Sequence, residues 1–264
     1  MTQQKKPSHP PAKSNYKILI FIHLLVVAMV VGLFYSLSIS PFSFLDEKCF
    51  QLVNGWIQNS YFWQTFWALA NHRGADLLED VCFLLFFYWI IKASPKPERT
   101  RKTAECIFFL LYGALIILMA NEILFRVLLH IERKSPTLLI DSFTNLAEKV
   151  TWLKVKFKSP KSFPADHATT AILFIISFLY LARNNIRITV AAFLYGIFLC
   201  LPRLVVGAHW TTDILVGSGS ICLIFFSWAF CTPLASTCIQ KIENVLRSAL
   251  LMKTKKRALR TNDA

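Results

Sequence analysis

The 264-residue sequence contains no Cys-x-x-Cys pair and no clustering of histidine with cysteine. That removes the usual spacings of a zinc site and leaves no framework for disulfides. Six of the seven cysteines (Cys82, Cys106, Cys200, Cys222, Cys231, Cys238) lie within or beside apolar runs, and Cys49 falls in an expected outer loop. No internal repeat or low-complexity tract is evident. No small-residue cleavage site follows the first apolar run, so it is expected to remain as an uncleaved span. Charge is also scarce. Only 17% of residues are charged against 55% hydrophobic, and the mean hydropathy is +0.48. This balance excludes a soluble globular domain and points to a membrane protein of one domain. Acidic residues number 15 against 29 lysines and arginines, for a formal net charge of +14. In a soluble chain that excess would suggest nucleic acid. Here the cytoplasmic loops of a membrane protein account for it, and no nucleic-acid partner is expected.

What is present is a series of apolar runs. Six helices are expected, at Ile18–Leu37, Leu77–Ile91, Cys106–Leu129, His167–Leu181, Ile188–Val206 and Thr212–Phe230. Several approach the roughly 20 residues that cross a 30 Å hydrocarbon core, inside which backbone groups must be bonded internally. The fold class is therefore all-α, a polytopic bundle of six transmembrane helices in a phospholipid bilayer. Residues 1–17 form a tail, 18–231 the membrane domain, and 232–264 a basic tail. Outer loops are expected at about 38–76 and 130–166. Lysine and arginine set the orientation. Eighteen lie in the N-terminal tail, the loop from Lys92 to Glu105, the turn Arg183–Arg187 and the C-terminal tail, which are placed in the cytoplasm with both termini. Nine lie opposite. Seven of these (Arg133, Lys134, Lys149, Lys154, Lys156, Lys158, Lys161) fall between the third and fourth helices, where a cationic cluster calls for an anionic ligand. The stretch Trp56, Tyr61, Phe62, Trp63, Phe66 and Trp67 reads as an interfacial anchor.

Three segments carry chemistry. The first holds Arg126 and, seven positions on, Arg133, followed by Lys134–Ser135–Pro136. The second is Phe163–Pro164–Ala165–Asp166–His167. The third holds Pro202–Arg203, then His209 and Asp213. The expected topology puts all of them at one membrane face, and ionisable groups at membrane depth are functional candidates. His209 and Asp213 are spaced i, i+4 and share a helix face. A carboxylate on one imidazole nitrogen leaves the other free to attack. Arg126, Arg133 and Arg203 offer planar forks for phosphate, and Lys134 can add charge. His167, at a helix start, is placed to protonate a leaving oxygen. Glu122, one turn before Arg126, and Asp166 are expected to support these groups. Asn71, Arg73 and Asp76 are weaker candidates for substrate contact, and His23, His72 and His130 read as interfacial polar groups.

These segments resemble the three motifs of the type 2 phosphatidic acid phosphatase superfamily, K-x6-RP, PSGH and SR-x5-HxxxD. Arg203, His209 and Asp213 stand in register with the third. Arg126 replaces the first lysine, Ala165 and Asp166 replace the Ser and Gly of the second motif, and Pro202 replaces the Ser of the third. Within the superfamily, FPADHA, LPRLVVGAHWTTDILVGS, ERKSPTL and ALANHRGADL look like the lipid A 1-diphosphate synthase branch, also called Kdo2-lipid A phosphotransferase.

That resemblance implies a metal-free, cofactor-free phosphotransferase of the Gram-negative inner membrane. Its site would face the periplasm, with undecaprenyl diphosphate as donor and the 1-phosphate of lipid A as acceptor. His209 would form a phosphohistidine, Asp213 would be its partner and His167 the general acid. Arg126, Arg133 and Arg203 would hold phosphate. The same residues would serve a hydrolase acting on undecaprenyl diphosphate or lipid A.

Overall fold

The computed structural model describes residues 13–36, 41–120, 123–124 and 131–262. Among them every regular element is helical. Helix α1 spans Tyr16–Ser36, α2 Pro41–Gly55, α3 Tyr61–Ala70 and α4 Arg73–Ala93. Helix α5 spans Arg99–Ile116 and continues in wider, π-type winding through 117–120. A single turn, α6, covers Leu146–Lys149. Helices α7 (Asp166–Leu181) and α8 (Ile186–Val205) follow. A π-helical segment at Asp213–Ser218 leads into α9 (Gly219–Cys231), and α10 covers Leu234–Asn262.

The described parts of all six expected apolar runs are helical, but among the described residues four stretches are both long and apolar enough to cross a membrane: Tyr16–Tyr35, Lys96–Ala120, Ile186–Val205 and Asp213–Cys231. Helix α7 has 16 residues. Helix α4 opens on Arg73, Asp76, Glu79 and Asp80, so its apolar part begins a turn later. These are the helices of a multi-pass membrane protein. The stretch expected as the first outer loop is mostly α2 and α3, and the basic tail is helix α10.

Three pairings organise the bundle: α7 on α8, α5 on α10, and α1 on α9. At the α7–α8 crossing Gly196 faces Ile175, and a Cβ there would lie 2.3 Å from Ile175 Cγ1. Only a missing side chain permits that approach. The main core is aromatic. Phe83 stacks on Phe174 at 4.7 Å between ring centres, Phe86 stacks on Tyr195 at 5.5 Å, and Phe178 is fully buried among them. Such pairs add roughly 0.5–1.5 kcal/mol beyond their buried area.

The bundle has two unlike ends. At one, Glu243 of α10 accepts from Arg101 of α5 at 3.0 Å and from Arg247 at 2.7 Å. A cavity of about 840 Å³ opens there among the ends of α4, α5, α7, α8 and α10. Asn15 N donates to Cys231 O at 2.7 Å and ties the start of α1 to the end of α9. The N-terminus of α7 and the C-terminus of α8 meet at the opposite end. There a second cluster of Ile57, Trp67, Val150, Val205, Val206 and Ala208 supports the turn 206–212. The aromatic stretch divides across this region. Tyr61 and Phe62 stay exposed, while Trp67 is buried against Phe198.

Candidate active site

The turn between α8 and the π-helical segment is set by Gly207, whose φ is +75°. A Cβ at this position would lie 2.6 Å from Thr137 Cγ2 and 2.7 Å from the Phe50 ring. Glycine is required on both counts. Two residues later His209 enters a small cleft of about 120 Å³, lined also by Lys156, Ser159, Lys161, Asp166, His167 and Arg203. The helix start at His167 adds to the polarity of this cleft. The N-cap of α7 is Ala165, which offers no side-chain oxygen to the first-turn N–H groups, and such a start favours an anion.

His209 is held by backbone. Its Nδ1 lies 2.6 Å from the carbonyl oxygen of Ser162. A carbonyl only accepts, so Nδ1 carries the hydrogen and Nε2 keeps its lone pair. Burial pushes the imidazole down from 6.5 to about 4, and the Ser162 carbonyl works in the opposite direction. Arg203 and Lys156 add to the lowering. His209 is thus a neutral imidazole with a lone pair on Nε2 at neutral pH.

Asp213 was expected to bond the His209 ring directly. Its Oδ2 stands 3.8 Å from His209 Nδ1, and the short contact is the one to Ser162. Asp213 instead accepts from Trp210 N at 2.8 Å and from Arg133 Nη1. It fixes the turn that carries His209. Arg133 is buried and bound to three side chains. Besides Asp213 it donates to Thr212 Oγ1 at 2.8 Å and to Asp46 Oδ2 at 2.7 Å. Asp46, a residue that the sequence reading did not single out, also accepts from Thr212 N at 2.9 Å. These carboxylates hold the Arg133 guanidinium behind the cleft. Lys134 is exposed and borders a separate concavity of about 500 Å³ with Asp46, Arg133 and Trp210. Arg126 and Glu122, like His130, lie outside the described residues.

Arg203 faces His167 across the cleft, with Nη2 2.7 Å from His167 Nε2. The Nη1 group donates to the carbonyl of Asn71 at 3.1 Å and to its amide oxygen. Asn71 in turn donates to the carbonyl of Lys156 at 3.1 Å. The start of α4 is therefore part of the site. His72 Nδ1 caps that helix by accepting from Gly74 N at 3.0 Å. Asp76 Oδ1 lies 3.7 Å from Arg203 Nη2 and 3.9 Å from His167 Nδ1. Asp76, Glu79 and His167 bring potential ligand atoms within 4.8 Å of one another. The cation these groups face is the Arg203 guanidinium. His23 belongs elsewhere, accepting from Trp228 Nε1 at 3.2 Å.

A histidine with a free Nε2, a second histidine, a guanidinium and two lysines surround a small cleft, a set of donors and charges that suits a phosphate group. Residues 109–238 match the family model of the PAP2 superfamily. The chain carries a PAP2-superfamily domain. Lipid A 1-diphosphate synthase of Escherichia coli (strain K12) is similar to it, 26% identical over 212 residues, which cover 79% of this chain and 81% of that protein. No solved structure matches. His167, Arg203, His209, Asp213 and Arg133 all fall inside the PAP2 match, whereas Asp46, Asn71 and Asp76 fall before it.

Proposed function

We propose that the protein transfers a phosphate from undecaprenyl diphosphate to the 1-phosphate of lipid A, giving lipid A 1-diphosphate and undecaprenyl phosphate. The observation that carries the phosphotransferase chemistry is His209, whose Nδ1–H is held by the Ser162 carbonyl at 2.6 Å so that Nε2 can attack. His209 attacks the terminal phosphorus while His167 gives a proton to the leaving oxygen. The lipid A phosphate then takes the group from phospho-His209. Arg203 and the α7 N-terminus neutralise the equatorial oxygens, which is most of what phosphoryl transfer requires, and Lys156 and Lys161 draw the anion into the cleft. Arg133, braced by Asp46 and Asp213, holds the turn; Arg126 and Lys134 are further candidates for contact with the two lipid phosphates. The choice of lipids rests on the similarity to lipid A 1-diphosphate synthase. We place the site at the periplasmic face of the inner membrane, because the opposite end of the bundle carries the greater share of lysine and arginine.

The deciding experiment incubates purified protein with undecaprenyl diphosphate labelled in its terminal phosphate, with and without lipid A. Label in lipid A supports the transfer. Free phosphate as the sole product makes the protein a phosphatase using the same residues.

A further inference from the structure

We propose that Asp76 is the positioning residue of His167, across the cleft from His209. This rests on the phosphotransfer reading above and names a residue that lies outside the matched PAP2 domain.

The argument is one of donors and acceptors. A guanidinium has N–H donors and no acceptor. Arg203 Nη2 lies 2.7 Å from His167 Nε2, so Nε2 accepts there. The hydrogen of the neutral ring is then on Nδ1. That side of the ring faces Asp76 Oδ1 at 3.9 Å. Other charged groups stand round the ring. Arg203 comes from α8, Lys156 from the loop before α7, and Glu79 and Asp76 from α4. His209 and Asp166 belong to the same cleft. Asp76 lies within salt-bridge distance of the imidazole. It sits in the first turn of α4, where a negative charge is favoured. The cap at His72 and the clamp of Asn71 on Arg203 fix that turn against the cleft.

The chemistry follows. Burial, Arg203, His209 and Lys156 all disfavour charge on the free imidazole. The negative charge of the bound diphosphate offsets them, and His167 enters the first step with both ring nitrogens protonated, Nδ1–H towards Asp76 and Nε2–H towards the leaving oxygen. As the His209 Nε2–P bond forms and the P–O bond breaks, the Nε2 proton passes to the leaving oxygen. His167 is left as the Nδ1–H tautomer with a lone pair on Nε2, which is the arrangement seen here with Arg203. In the second step the acceptor's O–H gives its proton to Nε2 as its oxygen attacks phosphorus, and the imidazolium is restored. Asp76 stabilises that imidazolium and aims the ring.

The test uses the full-length protein in detergent micelles and follows loss of undecaprenyl diphosphate with lipid A present, a readout that counts transfer and hydrolysis alike. Asp76→Asn should lower the rate about 10–100-fold, part of the 10²–10⁴ that a positioned acid contributes. It should also move the basic limb of the kcat–pH profile, which reports the enzyme with diphosphate bound, to lower pH, because the imidazolium has lost its counter-charge. Asp76→Glu should restore most of both. Combined with His167→Gln, Asp76→Asn should cost nothing further. An unmoved basic limb, or losses that multiply in the double variant, would overturn the proposal and leave Asp76 as a brace for Arg203. A wild-type protein that consumes no diphosphate overturns the phosphotransfer reading itself.

Discussion

His209 Nδ1 lies 2.6 Å from the carbonyl oxygen of Ser162 and 3.8 Å from Asp213 Oδ2. The peptide carbonyl therefore fixes the tautomer, and the carboxylate fixes the turn. The two roles separate by mutation. His209→Ala should abolish both the phosphoenzyme and turnover. Asp213→Asn keeps the Ser162 contact but weakens the hold on Arg133 and Trp210 N, so the nucleophile drifts. A misplacement of about 1 Å costs on the order of 10²-fold. Rapid-quench trapping of labelled phosphoprotein should show a slowed but detectable intermediate in Asp213→Asn and none in His209→Ala. Label retained by the alanine variant would refute His209 as the nucleophile.

The same burial sets a pH dependence. Protonating Nε2 removes the lone pair that attacks phosphorus. With the imidazole pushed down to about 4, the neutral form dominates above that pH, and the acid limb of activity should fall at about 4. An unburied histidine would lose it near 6.5. Plotting kcat/KM against pH reports the free enzyme. An acid limb near 6.5 would mean that water reaches His209 more freely than the fold indicates.

Lys156 and Lys161 border the cleft, and their side chains approach it from solvent. Lysines of this kind contribute mainly ground-state attraction for an anion. Lys156→Ala and Lys161→Ala should each raise KM, by about 3–10-fold for roughly 1 kcal/mol of surface electrostatics. Both effects should shrink as salt rises and screens them. Initial rates over a range of substrate and ionic strength check this. A fall in kcat with KM unchanged would instead place the lysine on the transition state.

Much of this was readable beforehand, and the failures have physical reasons. The long apolar runs gave the helices, because hydropathy over 18 or more residues reports a span directly. The residues of α2 and α3 read from the sequence as an outer loop. In α2, polar residues such as Asp46 and Asn54 point inward, so apolar and polar positions mix along the sequence. His167, Arg203 and His209 could be paired by their spacing and by the end of the bundle they share. Asp46 could not, since it meets Arg133 across 87 positions with no local pattern. Ser162 acts through its carbonyl, which no side-chain motif records. Asn71 and Asp76 drew notice as polar residues before a helix, and only their contacts with Arg203 give them a place in the site.

Gly207 offers the sharpest check on how the cleft is built. Its positive φ costs a residue with a Cβ roughly 1–2 kcal/mol. The Cβ would also meet Thr137 and Phe50 well inside contact distance, and overpacking adds about 1–3 kcal/mol. Thr137 cannot simply swing aside, because its Oγ1 is bonded to the carbonyls of Phe157, at 2.5 Å, and Gly207, at 3.2 Å. The strain therefore falls on the turn that carries His209. Gly207→Ala should lower the melting temperature and reduce phosphoenzyme formation together, whereas Gly196→Ala, at the α7–α8 crossing, should act first on the melting temperature. Thermal unfolding in detergent beside the phosphoenzyme assay separates the two. An alanine at 207 that melted and reacted like the wild type would mean that the turn holding His209 adopts another backbone shape.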